Sequence, residues 1–135
     1  MLDKCYTFEI DSFRDKRGCL SVLETGKNIP FDVKRLYYLY NTQDQLVRGV
    51  HSHKKLEQVL VSFSGTFKIL LDDGFKKKVF TLDNPAKGLY VCPMIWREVT
   101  PIGDNGLCAV LASRIYEEED YIHEYSNFLE IIRKE

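Results

Sequence analysis

An all-β fold is what this sequence predicts: about nine to ten short antiparallel strands closed into a β-sandwich or jelly-roll barrel, with a C-terminal helix. Three observations carry that expectation. Short runs rich in Val, Ile, Thr, Tyr and Phe recur from residue 5 to residue 116. Clusters of Gly, Pro, Asn and Asp punctuate them every eight to twelve residues or so, the turn spacing of sandwiches and barrels. Apolar residues at three- and four-residue steps appear only after residue 119, where the period changes from that of a strand to that of a helix.

Taken in order, residues 5–10 alternate loosely as a first strand, and Asp15-Lys-Arg-Gly18 makes a polar turn into a second at 19–24. A loop at 26–30 precedes a third strand, 33–40, in which Tyr37 faces away from Tyr38 and Tyr40. Residues 41–45 turn the chain into a stretch with two of its three histidines, Arg48-Gly-Val-His51-Ser-His53-Lys-Lys-Leu-Glu57-Gln58. Residues 66–71 and 76–82 flank the hairpin signal Asp72-Asp73-Gly74, and the lysines of the second suggest an exposed edge. A strand at 89–92 stops at Pro93, a short one follows at 96–99, and the turn 101–106 leads to a long apolar strand, 107–116. Tyr121, Ile122, Tyr125, Phe128, Leu129 and Ile132 then predict an amphipathic helix over 119–135 that docks on the barrel.

The 135 residues suffice for a sizeable core and are read as one domain, 1–135. Nineteen basic against twenty acidic side chains give a net charge of −1, which points to neither nucleic acid nor an anionic membrane. The apolar runs fall short of a membrane span and the start lacks a signal-peptide pattern, so a cytoplasmic location is expected. Cysteines at 5, 19, 92 and 108 have no Cys-x-x-Cys spacing, which disfavours a zinc knuckle and suits reduced, mostly buried thiols.

On a strand, alternate residues share a face, so His51, His53 and Glu57 are placed together, followed on that face by Val59, Val61 and Phe63. A polar cluster ahead of an apolar run describes the mouth of a lined cavity. The His-x-His-x3-Glu pattern resembles the first motif of the cupins, jelly-roll barrels in which those side chains and a later histidine bind a divalent metal. At the later Pro-containing strand this chain offers Arg97 or Glu98 in place of that histidine. An arginine there disfavours a cation, and no metal is expected.

The wider pattern is more specific. Arg48-Gly-x-His-x-His-Lys-Lys-x-Glu-Gln58, Leu71-Asp-Asp-Gly74, Pro93-x-x-Trp96 and Glu119-Asp-Tyr-Ile122 occur in this order. Together they resemble the dTDP-sugar 3,4-ketoisomerases, cupins that act on dTDP-4-keto-6-deoxy-D-glucose. The resemblance implies a metal-independent, domain-swapped homodimer without cofactor, in the biosynthesis of 3-amino-3,6-dideoxy sugars. It implies catalytic roles for His51, His53 and Tyr37. A neutral imidazole has a pKa of about 6.5, suited to a general base, and a phenol can hydrogen-bond a carbonyl oxygen as it gains charge. Substrate binding is expected of Arg48 and Arg97 as forked donors, with Glu57 and Gln58 orienting the histidines and Trp96 either stacking on thymine or packing in the core. Arg17-Gly18, at the first turn, resembles members that make the galacto product. The rival readings are a metal-dependent cupin oxygenase, a dTDP-sugar 3,5-epimerase and a non-catalytic sugar-nucleotide-binding cupin.

Overall fold

Two long strands form the spine of the structure, a computed structural model that describes residues 1–134. Among the described residues there are ten strands: β1 (Tyr6–Glu9), β2 (Asp11–Asp15), β3 (Gly18–Val22), β4 (Arg35–Leu39), β5 (Arg48–His53), β6 (Gln58–Asp72), β7 (Lys77–Leu82), β8 (Lys87–Val91), β9 (Trp96–Ala112) and β10 (Tyr121–Ile122). A helix, α1 (Tyr125–Arg133), follows them. Strands β6 and β9 pair antiparallel from Gln58 opposite Ala112 to Asp72 opposite Trp96.

The spine bends in the middle, and the bend makes two sheets. Its register shifts between Ser62 and Thr66, opposite residues 102–107. Gly65 has φ +84°, and a β-carbon there would lie 3.2 Å from the Cα of Gly106, so the two backbones cross where only glycine fits. The expected turn at 101–106 is therefore a bulge in a continuous strand, not a turn between separate ones, and β6 likewise runs unbroken through Gly65. The shift also explains why Phe63 is exposed while Val59 and Val61 are fully buried.

Beyond the bend, the first half of β6 takes β8 and then β1 at its side, and the facing half of β9 takes β4. The other half carries β7 on β6, and β5 then β10 on β9. Leu60, Leu89, Cys108 and Val110 from one half meet Phe67, Ile69, Leu71 and Val99 from the other in the main core. This is the jelly-roll arrangement expected. Strand β1 is paired with β8, whereas among the described residues β2 and β3 pair only with each other. Their hairpin stands off the barrel with Phe13 and Leu20 exposed.

The tail departs from expectation. Residues 118–120 form one 3-10 turn, Tyr121 and Ile122 pair with His53 and Ser52, and the helix covers only Tyr125–Arg133. Residue 135 of the predicted helix lies outside the described residues. The three- and four-residue spacing of the apolar residues is real, but the free edge of β5 offers the backbone at 121–122 strand partners instead. The helix then seats Phe128 and Ile132, both buried, with Phe128 against Trp96. Cys5, Cys92 and Cys108 are buried free thiols and Cys19 is exposed. No helix among the described residues is long and apolar enough to cross a membrane.

Candidate active site

A cavity of about 290 Å³ opens between the two sheets. Strand β4 contributes Arg35, Tyr37 and Leu39, alternate residues that face inward while Leu36 and Tyr38 face out. Strand β5 contributes Arg48, Gly49 and His51, β9 contributes Arg97, Val99, Cys108 and Val110, and β10 contributes Tyr121. Gly49, at φ +63°, sits in the irregularity of β5 between Arg48 and His51 that sets Arg48 and His51 on the same wall.

The lining carries three guanidinium groups and no carboxylate. In a chain of net charge −1, that concentration of positive charge in a recess selects an anionic ligand. Cys108 is not a nucleophile here, since burial pushes its thiol up to about 12.

Arg97 organises the polar groups. One guanidinium nitrogen, Nη2, lies 3.1 Å from His51 Nε2 and donates to the Tyr37 hydroxyl at 2.8 Å. A guanidinium has only donors, so His51 Nε2 carries a lone pair and its proton is on Nδ1. Gln58 Nε2 also donates to the Tyr37 hydroxyl, at 2.8 Å. Tyr37 thus accepts twice, and its own O–H has no acceptor among the described residues.

His51 and His53 share a face, their rings 4.7 Å apart edge-on. His51 reaches the cavity, whereas His53 is buried behind it with Nε2 unpartnered. Burial holds His51 down to about 3, helped by Arg97, His123 and Arg35. Burial and then Arg97 hold His53 down to about 2. Both imidazoles are neutral at physiological pH, and their burial beside basic groups makes them far weaker bases than the ordinary value of about 6.5 implies.

Four expected site residues are placed elsewhere. Glu57 accepts the Tyr90 hydroxyl at 2.6 Å and does not join the histidines, because the strand breaks between His53 and Gln58. The His51, His53 and Glu57 ligand set of a metal cupin is therefore not assembled. Trp96 is 3 % exposed, packs edge-on against Tyr125 and donates to Glu98, so it belongs to the helix-docking core. Arg17 and Gly18 sit at the tip of the β2–β3 hairpin, where Arg17 is paired with Asp15 at 2.6 Å. They line a groove of that arm and do not reach the cavity of their own chain.

Three residues near the histidines were not among the expected site residues: Arg35, Tyr121 and His123. Arg35 donates to the Tyr121 hydroxyl at 3.3 Å and lies over the Tyr37 ring. The Tyr121 ring touches those of His51, His53 and His123. Arg35 was legible in principle, two residues from Tyr37 and so on its face. Tyr121 and His123 were hidden by the helical reading of the tail.

Comparison with known proteins agrees with this geometry. The family model FdtA: WxcM-like, C-terminal matches residues 3–133. A TDP-4-oxo-6-deoxy-alpha-D-glucose-3,4-oxoisomerase of Aneurinibacillus thermoaerophilus is 48% identical over 120 residues, 89% of this chain and 86% of that protein. The solved structure of a 3,4-ketoisomerase from Helicobacter canadensis superposes with TM-score 0.93 at 40% identity, covering 96% of this chain and 97% of that one. QdtA, a sugar 3,4-ketoisomerase of Thermoanaerobacterium thermosaccharolyticum solved with TDP, gives TM-score 0.94 at 38% identity, covering 99% and 98%. A histidine-to-asparagine variant of QdtA was solved with TDP-4-keto-6-deoxyglucose. This chain belongs to the FdtA family of dTDP-sugar 3,4-ketoisomerases.

Proposed function

We propose that this protein converts dTDP-4-keto-6-deoxy-D-glucose to dTDP-3-keto-6-deoxy-D-galactose, as a cytoplasmic enzyme of deoxysugar biosynthesis. One observation carries the reading: a cavity with three arginines and no carboxylate holds a neutral histidine lone pair beside a phenol whose proton is unspent. The arginines suit a nucleoside diphosphate, and the histidine and phenol suit an enolisation.

The reaction moves a ketone from carbon 4 to carbon 3 of the sugar. His51 takes the proton from carbon 3, which the neighbouring carbonyl acidifies. The resulting enediolate carries its charge on oxygen, where the Tyr37 hydroxyl donates to it. A proton added at carbon 4 and the passage of the hydroxyl proton from oxygen 3 to oxygen 4 complete the change. The sum is two proton transfers, so neither a redox cofactor nor a metal is required. Negative charge brought in by the diphosphate offsets Arg35, Arg48 and Arg97, draws Arg97 from His51 Nε2, and raises that imidazole toward the working pH. His53, against His51, is the second proton carrier.

The product's axial hydroxyl depends on Arg17 and Gly18, which a single chain keeps away from its own cavity. A homodimer that exchanges its β2–β3 arms supplies them from the second copy. The arm's lack of any sheet partner of its own and its exposed Phe13 and Leu20 support that exchange.

The test is proton NMR of the metal-stripped protein with dTDP-4-keto-6-deoxy-D-glucose in deuterated water. The expected product is a 3-keto sugar with deuterium at carbon 4 and ring couplings of an axial hydroxyl. His51→Asn should abolish it while dTDP affinity stays within about twofold of wild type. Unchanged substrate, with turnover restored by iron or manganese, would instead favour the oxygenase reading; deuterium at carbons 3 and 5 would indicate an epimerase.

A further inference from the structure

The cavity holds two phenols, and the scheme above uses one. Three other tyrosines of the chain spend their hydroxyl protons on carboxylates: Tyr90 on Glu57 at 2.6 Å, Tyr125 on Asp72 at 2.6 Å, and Tyr116 on Glu118. Tyr37 and Tyr121 do the reverse. Each accepts a hydrogen bond from an arginine, Tyr37 from Arg97 and Tyr121 from Arg35. Neither hydroxyl proton has an acceptor among the described residues. A phenol has one proton to give, and a cationic donor on its oxygen makes that proton a stronger donor.

Tyr121 is also placed for contact with a ligand. It lines the cavity with Tyr37 and His51, and pairing of β10 with β5 sets it directly opposite His53. Its ring lies 5.0 Å from that of His51 and 4.5 Å from that of His53. Arg35 spans both phenols, its guanidinium bonded to one hydroxyl and 5.2 Å from the centre of the other ring. Its Nε is buried without a partner, so Arg35 is held by these aromatic contacts and not by an acidic side chain.

We infer that Tyr121, polarised by Arg35, is a second oxygen-binding catalytic residue, so that Tyr37 and Tyr121 each hold one of two adjacent sugar oxygens. The inference rests on the isomerase reading, whose chemistry supplies the two oxygens. As the ketone moves, oxygen 4 passes from carbonyl to hydroxyl and oxygen 3 from hydroxyl to carbonyl. The enediolate between them shares one proton and one negative charge over both. No bond to the protein forms and nothing is oxidised or reduced overall. The carbon-bound proton travels by way of the histidines, and one donor on each oxygen stabilises the charge wherever it resides. A lone donor would favour charge on a single oxygen and stall the reaction at one end.

Tyr121→Phe tests this, because it keeps the ring that packs on the histidines and removes only the hydroxyl. The expected result is a kcat lower by about 10- to 100-fold, with KM changed by less than about threefold and an unaltered melting temperature. Combined with Tyr37→Phe, the double variant should be slower than either single variant, and any departure from the product of the two losses measures their coupling through the shared charge and Arg35. Calorimetry adds a readout independent of turnover: dTDP-6-deoxy-glucose, an unreactive vicinal diol, should bind the variant more weakly, with dTDP affinity unchanged. A kcat within twofold of wild type, or a double variant no slower than Tyr37→Phe alone, overturns the inference while leaving the isomerase intact. If wild-type protein does not isomerise, the isomerase reading falls, and an undiminished preference of Tyr121→Phe for the diol over dTDP overturns the role of Tyr121 as well.

Discussion

His51 and His53 are neutral because the fold makes protonation expensive, and that cost is measurable as stability. Their folded pKa values, about 3 and about 2, lie below the unfolded value of about 6.5. The groups facing them, Arg97 and Arg35 on neighbouring strands and His123 just after β10, are all basic, and Glu118 offsets them in part at His51. Above pH 6.5 neither state binds the protons and the stability is complete. As pH falls below 6.5 the unfolded chain takes up protons that the native site refuses, so stability is lost progressively toward the folded values. The slope approaches about 1.4 kcal/mol per pH unit for each histidine. Urea unfolding at pH 7.5 and 5.5 should therefore differ by about 2–3 kcal/mol, and the difference should vanish in a His51→Asn, His53→Asn double variant. An equal difference in that variant would mean that other groups carry it.

Among the elements, the two-residue strand β10 has consequences out of proportion to its length. It closes the edge of β5 and is pinned by Asp120, whose carboxylate accepts the Lys55 and Leu56 N–H groups at 2.9 and 3.2 Å. The Asp120 carbonyl accepts the Lys54 N–H as well. The turn that follows His53 is thus tied to the residue that precedes Tyr121, and both walls of the site share one clamp. Asp120→Ala strands two backbone donors, one of them in the buried Leu56, at about 1–3 kcal/mol each. The expected loss is about 2–4 kcal/mol in urea unfolding, accompanied by a fall in kcat as His53 and Tyr121 lose their register. A stable variant with wild-type turnover would show that strand pairing alone suffices. Helix α1 supports the same region from behind through Phe128 and Trp96, which explains why Trp96 is structural here.

For the molecule as a whole, the exposed apolar surface is the unusual feature. Phe13 and Leu20 on the arm, Leu36 and Tyr38 on the outer face of β4, and Tyr40 just past its end are each more than half exposed in the single chain. Of the run at 36–40 only the alternate members Tyr37 and Leu39 pack against the core. Surface of this kind is characteristic of association, and the proposed arm exchange would cover it. Sedimentation should give twice the chain mass, and Phe13→Ser with Leu20→Ser should produce monomers. If the arm carries Arg17 to the second copy's cavity, those monomers lose isomerase activity although His51, Tyr37 and Arg97 remain in place. Active monomers would show that the cavity of one chain is complete.

Local chemistry was enough to read the alternating strands, the Asp15–Gly18 and Asp72–Gly74 turns, and the shared face of His51 and His53, because a period of two and a turn residue act within a few positions. That Tyr37 faces away from Tyr38 and Tyr40 followed from the same alternation; which of the two faces turns inward did not. The partner of each polar group did not follow. Glu57 is bonded to Tyr90, 33 residues away in sequence, and Arg97 meets His51 across 46. Neither pairing leaves a trace in local spacing. The tail shows the difference most clearly. Its apolar period favours a helix from residue 119, but the open edge of β5 supplies backbone partners for Tyr121 and Ile122 that a helix would forfeit. Strand pairing therefore takes those residues and places Tyr121 beside the histidines. Alternation and turn chemistry come from neighbours along the chain, whereas the site is made by hydrogen bonds and burial between segments that only the folded barrel brings together.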